Sequence, residues 1–206
     1  MTLKQRSGGR SARVQRAVFD ATVASLIEVG WSNLSIGAIA ARAGVHETSI
    51  YRRWKTKEKL VVSALLERLK ELLPVPDTGS LRDELVTMLR GLLKFLRSPF
   101  GAALVRLAVA LPDGEQTTAL RRTFWGSRFP VLLEPLKRGA ERGEIAAEID
   151  HQLVLETLIG VFYLRAFVTG EHLDEDLPER VVSLVLDGAK RENAAGDTPP
   201  RTSGRR

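Results

Sequence analysis

Ile39-Ala40-Ala41-Arg42-Ala43-Gly44-Val45, followed shortly by Ser49-Ile50-Tyr51-Arg52-Arg53-Trp54-Lys55-Thr56-Lys57, is the stretch that decides the fold. Small and apolar residues, a glycine, and a run crowded with aromatics and bases read as helix, tight turn and helix. This pattern predicts a helix-turn-helix whose second helix enters the DNA major groove. Ile36, Ile39, Ala40 and Ala43 form the inward stripe of the first helix, and Val45 plugs the turn. Ile50 and Trp54, four residues apart, turn inward from the second, leaving Tyr51, Arg52 and Arg53 outside.

Working outward, Phe19, Val23, Leu26 and Ile27 lie on one face of a preceding helix that Gly30 ends. Ser35 is a good N-cap for the next helix. Thr56 can cap a fourth helix that runs to the breaker Pro74-Val75-Pro76-Asp77-Thr78-Gly79. Beyond it every segment reads helical: 80–97, 101–111, 115–142, 151–169 with Asp150 as cap, and 177–191. Pro130 and Pro135 predict a kink or break in the third of these. No segment sustains strand alternation, so the expected class is all-α. A three-helix helix-turn-helix domain is joined through a fourth helix to a C-terminal helical domain. The expected boundaries are a flexible basic arm at 1–11, the DNA-binding domain at 12–72 with its helix-turn-helix at about 35–54, a regulatory and dimerisation domain at 73–193, and a disordered tail at 194–206.

Composition narrows the function. The chain has 206 residues, 44% hydrophobic and 27% charged, an ordinary soluble globular balance. There is no cysteine, and His46, His151 and His172 are far apart, so neither a metal site nor a cofactor is expected. The N-terminus has no apolar core behind it, and no secretory signal is expected. The longest apolar run, Leu153 to Val168, contains Glu156 and Arg165 and is shorter than the ~20 residues that span a bilayer. A cytoplasmic protein that does not enter the membrane is expected. No Ser-His-Asp order, phosphate-binding glycine loop or cluster of catalytic carboxylates stands out, so an enzyme is not expected. Charge is uneven: residues 1–60 hold eleven Lys and Arg against four acids, a net of +7 where the whole chain carries +6. The positive potential that would attract a polyanion belongs to the N-terminal segment.

From Ala12 to about Leu72 the chain resembles the DNA-binding domain of TetR-family transcriptional regulators. Gly30-Trp31, Ser35, Ile39-Ala40, Ala43-Gly44-Val45, Ile50-Tyr51, Trp54, Lys57 and Leu60 carry the resemblance. It implies a homodimer on a palindromic operator, most often a repressor that a small apolar or amphipathic ligand releases from double-stranded DNA. Carried over by position, Thr48, Ser49 and Arg52 face base edges, while Tyr51, Arg53, Lys57 and Ser35 hold phosphates. Which of Arg52 and Arg53 reads a base stays open. Trp54 stands where the family more often has phenylalanine. Glu47 either accepts from cytosine N4 or, the preferred reading, caps the helix or neutralises Arg52. Lys4, Arg6, Arg10 and Arg13 either enter the adjacent minor groove or form a solubilising tail.

The C-terminal half carries no comparably sharp motif. Its last two helices are apolar on more than one face, which a homodimer burying Leu158, Phe162, Val181, Leu184 and Val185 would explain. Phe95, Phe124, Trp125, Phe162 and Tyr163 are candidate ligand-lining aromatics. Arg106 interrupts a wholly apolar run and, if buried, needs an internal acid or an anionic ligand. Arg165 poses the same question, with Glu156 as a possible partner. The alternative is a DNA-binding regulator whose C-terminal domain only dimerises or recruits protein, with no small ligand.

Overall fold

The computed structural model describes residues 7–196, and it is helical throughout, with no strand among those residues. The chain divides into two compact units. One comprises the chain up to Leu72 together with Arg97–Arg128, and the other comprises Leu73–Leu96 together with Phe129 onward. The helices after the breaker are therefore shared between the units, where the sequence suggests one contiguous domain over 73–193.

In the first unit, α1 (Ser7–Asn33), α2 (Ile36–Ala43), α3 (Glu47–Trp54) and α4 (Lys57–Leu72) surround one core. Val18, Phe19, Leu26, Trp31, Ile39, Ile50, Leu60 and Ala64 fill it. Residues 7–11 extend α1 and so are helical, where an arm is expected; residues 1–6 lie outside the described residues. Gly30 has φ 72 and ψ 175 and breaks the helical path inside α1, as its glycine predicts. α6 (Pro99–Val109) and α7 (Glu115–Leu132) follow in the same unit up to Arg128, and Leu120, Phe100, Leu107 and Phe124 pack against its core.

The second unit holds α5 (Leu81–Arg97) up to Leu96, α8 (Glu134–Glu141), α9 (His151–Leu164) and α10 (Leu177–Gly196). α7 stops at Leu132 and α8 starts afresh with Pro135 near its N-terminus, the break that the two prolines predict. Asp150 caps α9 by accepting from the amides of Gln152 at 3.0 Å and Leu153 at 3.1 Å. A π-helical turn, Arg165–Thr169, prolongs α9 until Gly170. Together they make a 19-residue segment, His151–Thr169, long and apolar enough by length and composition to cross a membrane. The segment nonetheless turns Val154, Leu155, Leu158 and Phe162 into the unit's interior. α10 runs on to Gly196, through the first residues of the expected tail; the rest of that tail lies outside the described residues.

A charged network holds this unit together. The Glu84 carboxylate is 0% exposed. It accepts from Arg138 at 2.7 Å, from Arg142 at 3.5 Å, and from the amides of Thr78 at 3.2 Å and Gly79 at 3.1 Å. Arg138 also reaches the Pro76 carbonyl at 2.6 Å. Glu144 accepts from the Leu81 amide at 2.7 Å and pairs with Arg142. Partial burial works against ionising Glu144, but the Arg142 and Leu81 bonds outweigh it and hold its carboxyl below the ordinary value.

Candidate nucleic-acid interface

Local chemistry builds the helix-turn-helix. The Ser35 hydroxyl accepts from the Ala38 amide at 3.2 Å and caps α2. Gly44 ends α2 at φ 65 and ψ 37, the left-handed conformation that glycine takes without strain. The Gly44 amide then bonds the Ala41 carbonyl at 3.3 Å and the Val45 amide bonds the Ala40 carbonyl at 3.0 Å. α3 begins after His46, whose side chain makes no capping bond. Its Ile50 and Trp54 are buried, and Trp54 meets Phe19 with ring centroids 5.6 Å apart. At its far end Lys55 has φ 68, the only positive φ outside glycine among the described residues, and its amide closes the helix on the Tyr51 carbonyl at 3.0 Å.

With Ile50 and Trp54 inward, Thr48, Tyr51, Arg52 and Arg53 are exposed and Ser49 is half-buried. None of these five residues of α3 is buried, but they do not share one face: Tyr51 and Arg53 flank Thr48 and Arg52 on opposite sides of the helix. Tyr51 is 49% exposed, which suits a phenol that grips a phosphate. Ser35 keeps its hydroxyl hydrogen free to donate while its oxygen caps α2.

Lys57 is more committed than its sequence suggests. Its ammonium donates to the carbonyls of Trp31 at 3.3 Å and Leu34 at 3.2 Å and sits 4.2 Å from the Trp31 ring centroid. Two of its three N–H groups are spent on closing the α1–α2 turn against α4, leaving one for a phosphate. Arg42 makes a second cross-link, bidentate to Glu28 at 2.6 and 2.9 Å. The Arg42 hydrogen bond outweighs desolvation and holds the Glu28 carboxyl below its ordinary value. Glu47 turns toward α2 instead of Arg52: a Cβ on Gly37 would stand 2.8 Å from Glu47 Oε1. An acid over the first turn of a helix suits the helix dipole. Of the candidate arm residues, Arg13 is exposed on α1; Lys4 and Arg6 lie outside the described residues.

The candidate ligand residues divide between the units. Arg106, Phe124 and Trp125 are in the first, where the two rings meet edge-on at 5.1 Å. Phe95, Phe162 and Tyr163 are in the second, where Phe95 and Phe162 are core residues. Arg106 is exposed, which corrects the reading of it as a buried charge: α6 buries Gly101, Leu104 and Val105 on one side and turns Arg106 to the other. Arg165 is also settled differently. It donates to the His172 carbonyl at 2.9 Å and pairs with Asp174 at 3.6 Å, while Glu156 bonds Gln152 at 2.9 Å.

The candidate dimer residues need a similar correction. Leu158, Phe162 and Val181 are buried within the chain's own unit, because they lie on the inward stripes of α9 and α10. They are not available to a partner. Leu184 is 77% and Val168 75% exposed, with Leu153 and Leu164 also exposed and Val185 half-buried.

Two family models match this chain. One described as "Bacterial regulatory proteins, tetR family" matches residues 18–64, and one described as "Tetracyclin repressor-like, C-terminal domain" matches residues 75–185. The HTH-type transcriptional regulator AqdR of Rhodococcus erythropolis is 39% identical over 184 residues, 89% of each chain. The DNA-binding transcriptional repressor TetR of Mycobacteroides abscessus is 29% identical over 164 residues, 78% of this chain and 85% of that one. The crystal structure of TetR family transcription regulator SCO0332 matches with a TM-score of 0.69 at 28% identity, over 85% of this chain and 97% of that one.

Proposed function

This chain belongs to the tetR family of bacterial regulatory proteins, whose members bind DNA and regulate transcription, and from that membership we propose a cytoplasmic homodimeric repressor that a small molecule releases from a palindromic operator. The observation that carries the DNA half of this reading is the outward face of α3. There Thr48 and Arg52 stand clear of a buried Ile50–Trp54 stripe, on the segment that holds the chain's excess positive charge. Tyr51, Ser35 and the remaining donor of Lys57 hold phosphates and set register, while the outward pair reads base edges. That a relative bears the name repressor supports repression over activation. Sequencing the DNA that the purified protein selects tests the reading. A palindrome with half-site centres one helical turn (~34–36 Å) or a multiple apart is expected; recovery of no preferred sequence overturns it.

The dimer rests on the exposed apolar residues of α9, its π-helical extension and α10. Leu164 and Leu184 each have a glycine four residues away on the same helix, Gly160 and Gly188, where an added Cβ would meet nothing within 4 Å. A second copy of these helices would cover this surface. Leu184→Glu is expected to convert the dimer to a monomer by light scattering and to weaken operator binding. A variant that remains dimeric contradicts this interface.

The ligand half of the reading is carried by the half-buried aromatic pair Phe124 and Trp125 of the first unit. The core positions of Phe95 and Phe162 favour the second reading, a C-terminal region that dimerises or recruits protein without a ligand. A thermal-shift screen separates the two, because a ligand that binds only the folded state raises its apparent stability.

A further inference from the structure

We infer that Arg53 is a positioning residue that locks α3 against α1, and that Arg52 is the arginine that determines base specificity. The inference rests on α3 being the helix that enters the major groove.

The two arginines are neighbours in sequence but not in environment. Arg53 donates to Ser11 Oγ at 3.4 Å and to Gln15 Oε1, and its guanidinium lies 5.2 Å from the Trp54 ring centroid. Ser11 and Gln15 are four residues apart and so share one face of α1. This planar cation is thus engaged at its edge by two α1 side chains and near an aromatic ring by the last residue of α3, a setting that favours arginine over lysine. Turning toward a base would cost Arg53 all three contacts. Arg52 has no hydrogen-bond, ion-pair or ring partner among the described residues.

Helix geometry separates them further. At about 100° per residue, Arg52 lies opposite the midpoint of the buried pair Ile50 and Trp54, with Thr48 beside it. Arg53 lies about 100° round from Arg52, on the side of α1. Arg52 can therefore present its donor fork to guanine O6 and N7, the commonest specific arginine contact. Arg53 acts through α3, fixing its angle relative to α1. Gln15 then belongs to the recognition apparatus although it lies on another helix.

The test measures the affinity of the full-length protein for its selected operator and for every single-base variant of it. Arg52→Ala is expected to flatten the preference at one base pair per half-site by roughly 5- to 150-fold, leaving other positions unchanged. Arg53→Ala and Gln15→Leu are expected to lower affinity for all sequences by a common factor while preserving every base preference. The double variant should bind no worse than Arg53→Ala alone, and Gln15→Glu, which keeps an acceptor for Arg53, should lose less affinity than Gln15→Leu. Thermal unfolding of each variant guards against a fold defect, and Arg53→Lys, with a donor still in reach of Gln15, gives a milder form of the same loss. Strictly additive losses for Gln15 and Arg53 overturn the positioning role. A base preference lost in Arg53→Ala and kept in Arg52→Ala overturns the assignment. A wild-type protein that selects no sequence brings down the underlying reading of α3, and this assignment with it.

Discussion

Trp54→Ala is expected to destabilise the first unit by about 3–5 kcal/mol, the usual cost of removing a large buried aromatic. Trp54 is only 9% exposed, packs against Phe19 with the ring planes tilted, and backs the Arg53 guanidinium. Its removal leaves a cavity between α1 and α3 and releases the recognition helix. A domain's whole stability is about 5–15 kcal/mol, so much of the unit should be unfolded at moderate temperature and operator binding lost with it. Denaturant titration followed by circular dichroism checks this. Trp54→Phe keeps a ring against Phe19 and should cost far less. If the alanine variant unfolds at the wild-type midpoint, Trp54 is not the anchor of α3.

Glu84→Ala should be comparably severe in the second unit, for a different reason. Removing a carboxylate from a buried ion pair strands its partners and typically costs about 3–5 kcal/mol. Here Arg138 and Arg142 lose their shared acceptor, and the Thr78 and Gly79 amides lose theirs. The two arginines keep a quarter to a third of their side chains exposed, so water recovers part of the loss and the lower end, about 3 kcal/mol, is expected. Glu84→Gln retains an oxygen for the two amides and should fall between alanine and wild type. Calorimetry of the three proteins should show that order. Equal stability for alanine and wild type would mean that the network contributes nothing net.

Features set by neighbouring residues are legible in the sequence. Ser35 as cap, Gly44 as left-handed turn, Ile50 and Trp54 inward, Asp150 as cap and the break near Pro130 and Pro135 all follow from local rules. Contacts between distant segments are not, because spacing carries no information about them. Nothing near Glu84 announces that it is buried with Arg138 and Arg142, more than fifty residues away. Nothing near Arg53 points to Ser11 and Gln15. Arg106 misleads for another reason: an apolar run implies burial on every side, whereas α6 has one buried side and one open side. In α9 and α10 the all-round apolar character is legible, but which stripe packs inside the chain depends on where the other helices lie. Leu158, Phe162 and Val181 therefore belong to the core, Val185 is half-buried, and Leu184 alone of the five expected interface residues is exposed.

The central claim is that α3 occupies the major groove. Dimethyl sulfate reacts with guanine N7, which lies in that groove, and with adenine N3, which lies in the minor groove. Footprinting the selected operator with this reagent is the most direct test. The prediction is protection of guanine N7 in two clusters about one helical turn or a multiple apart, with one protected guanine per cluster regaining reactivity in Arg52→Ala. A saturated complex whose guanine N7 atoms react as in free DNA would contradict it.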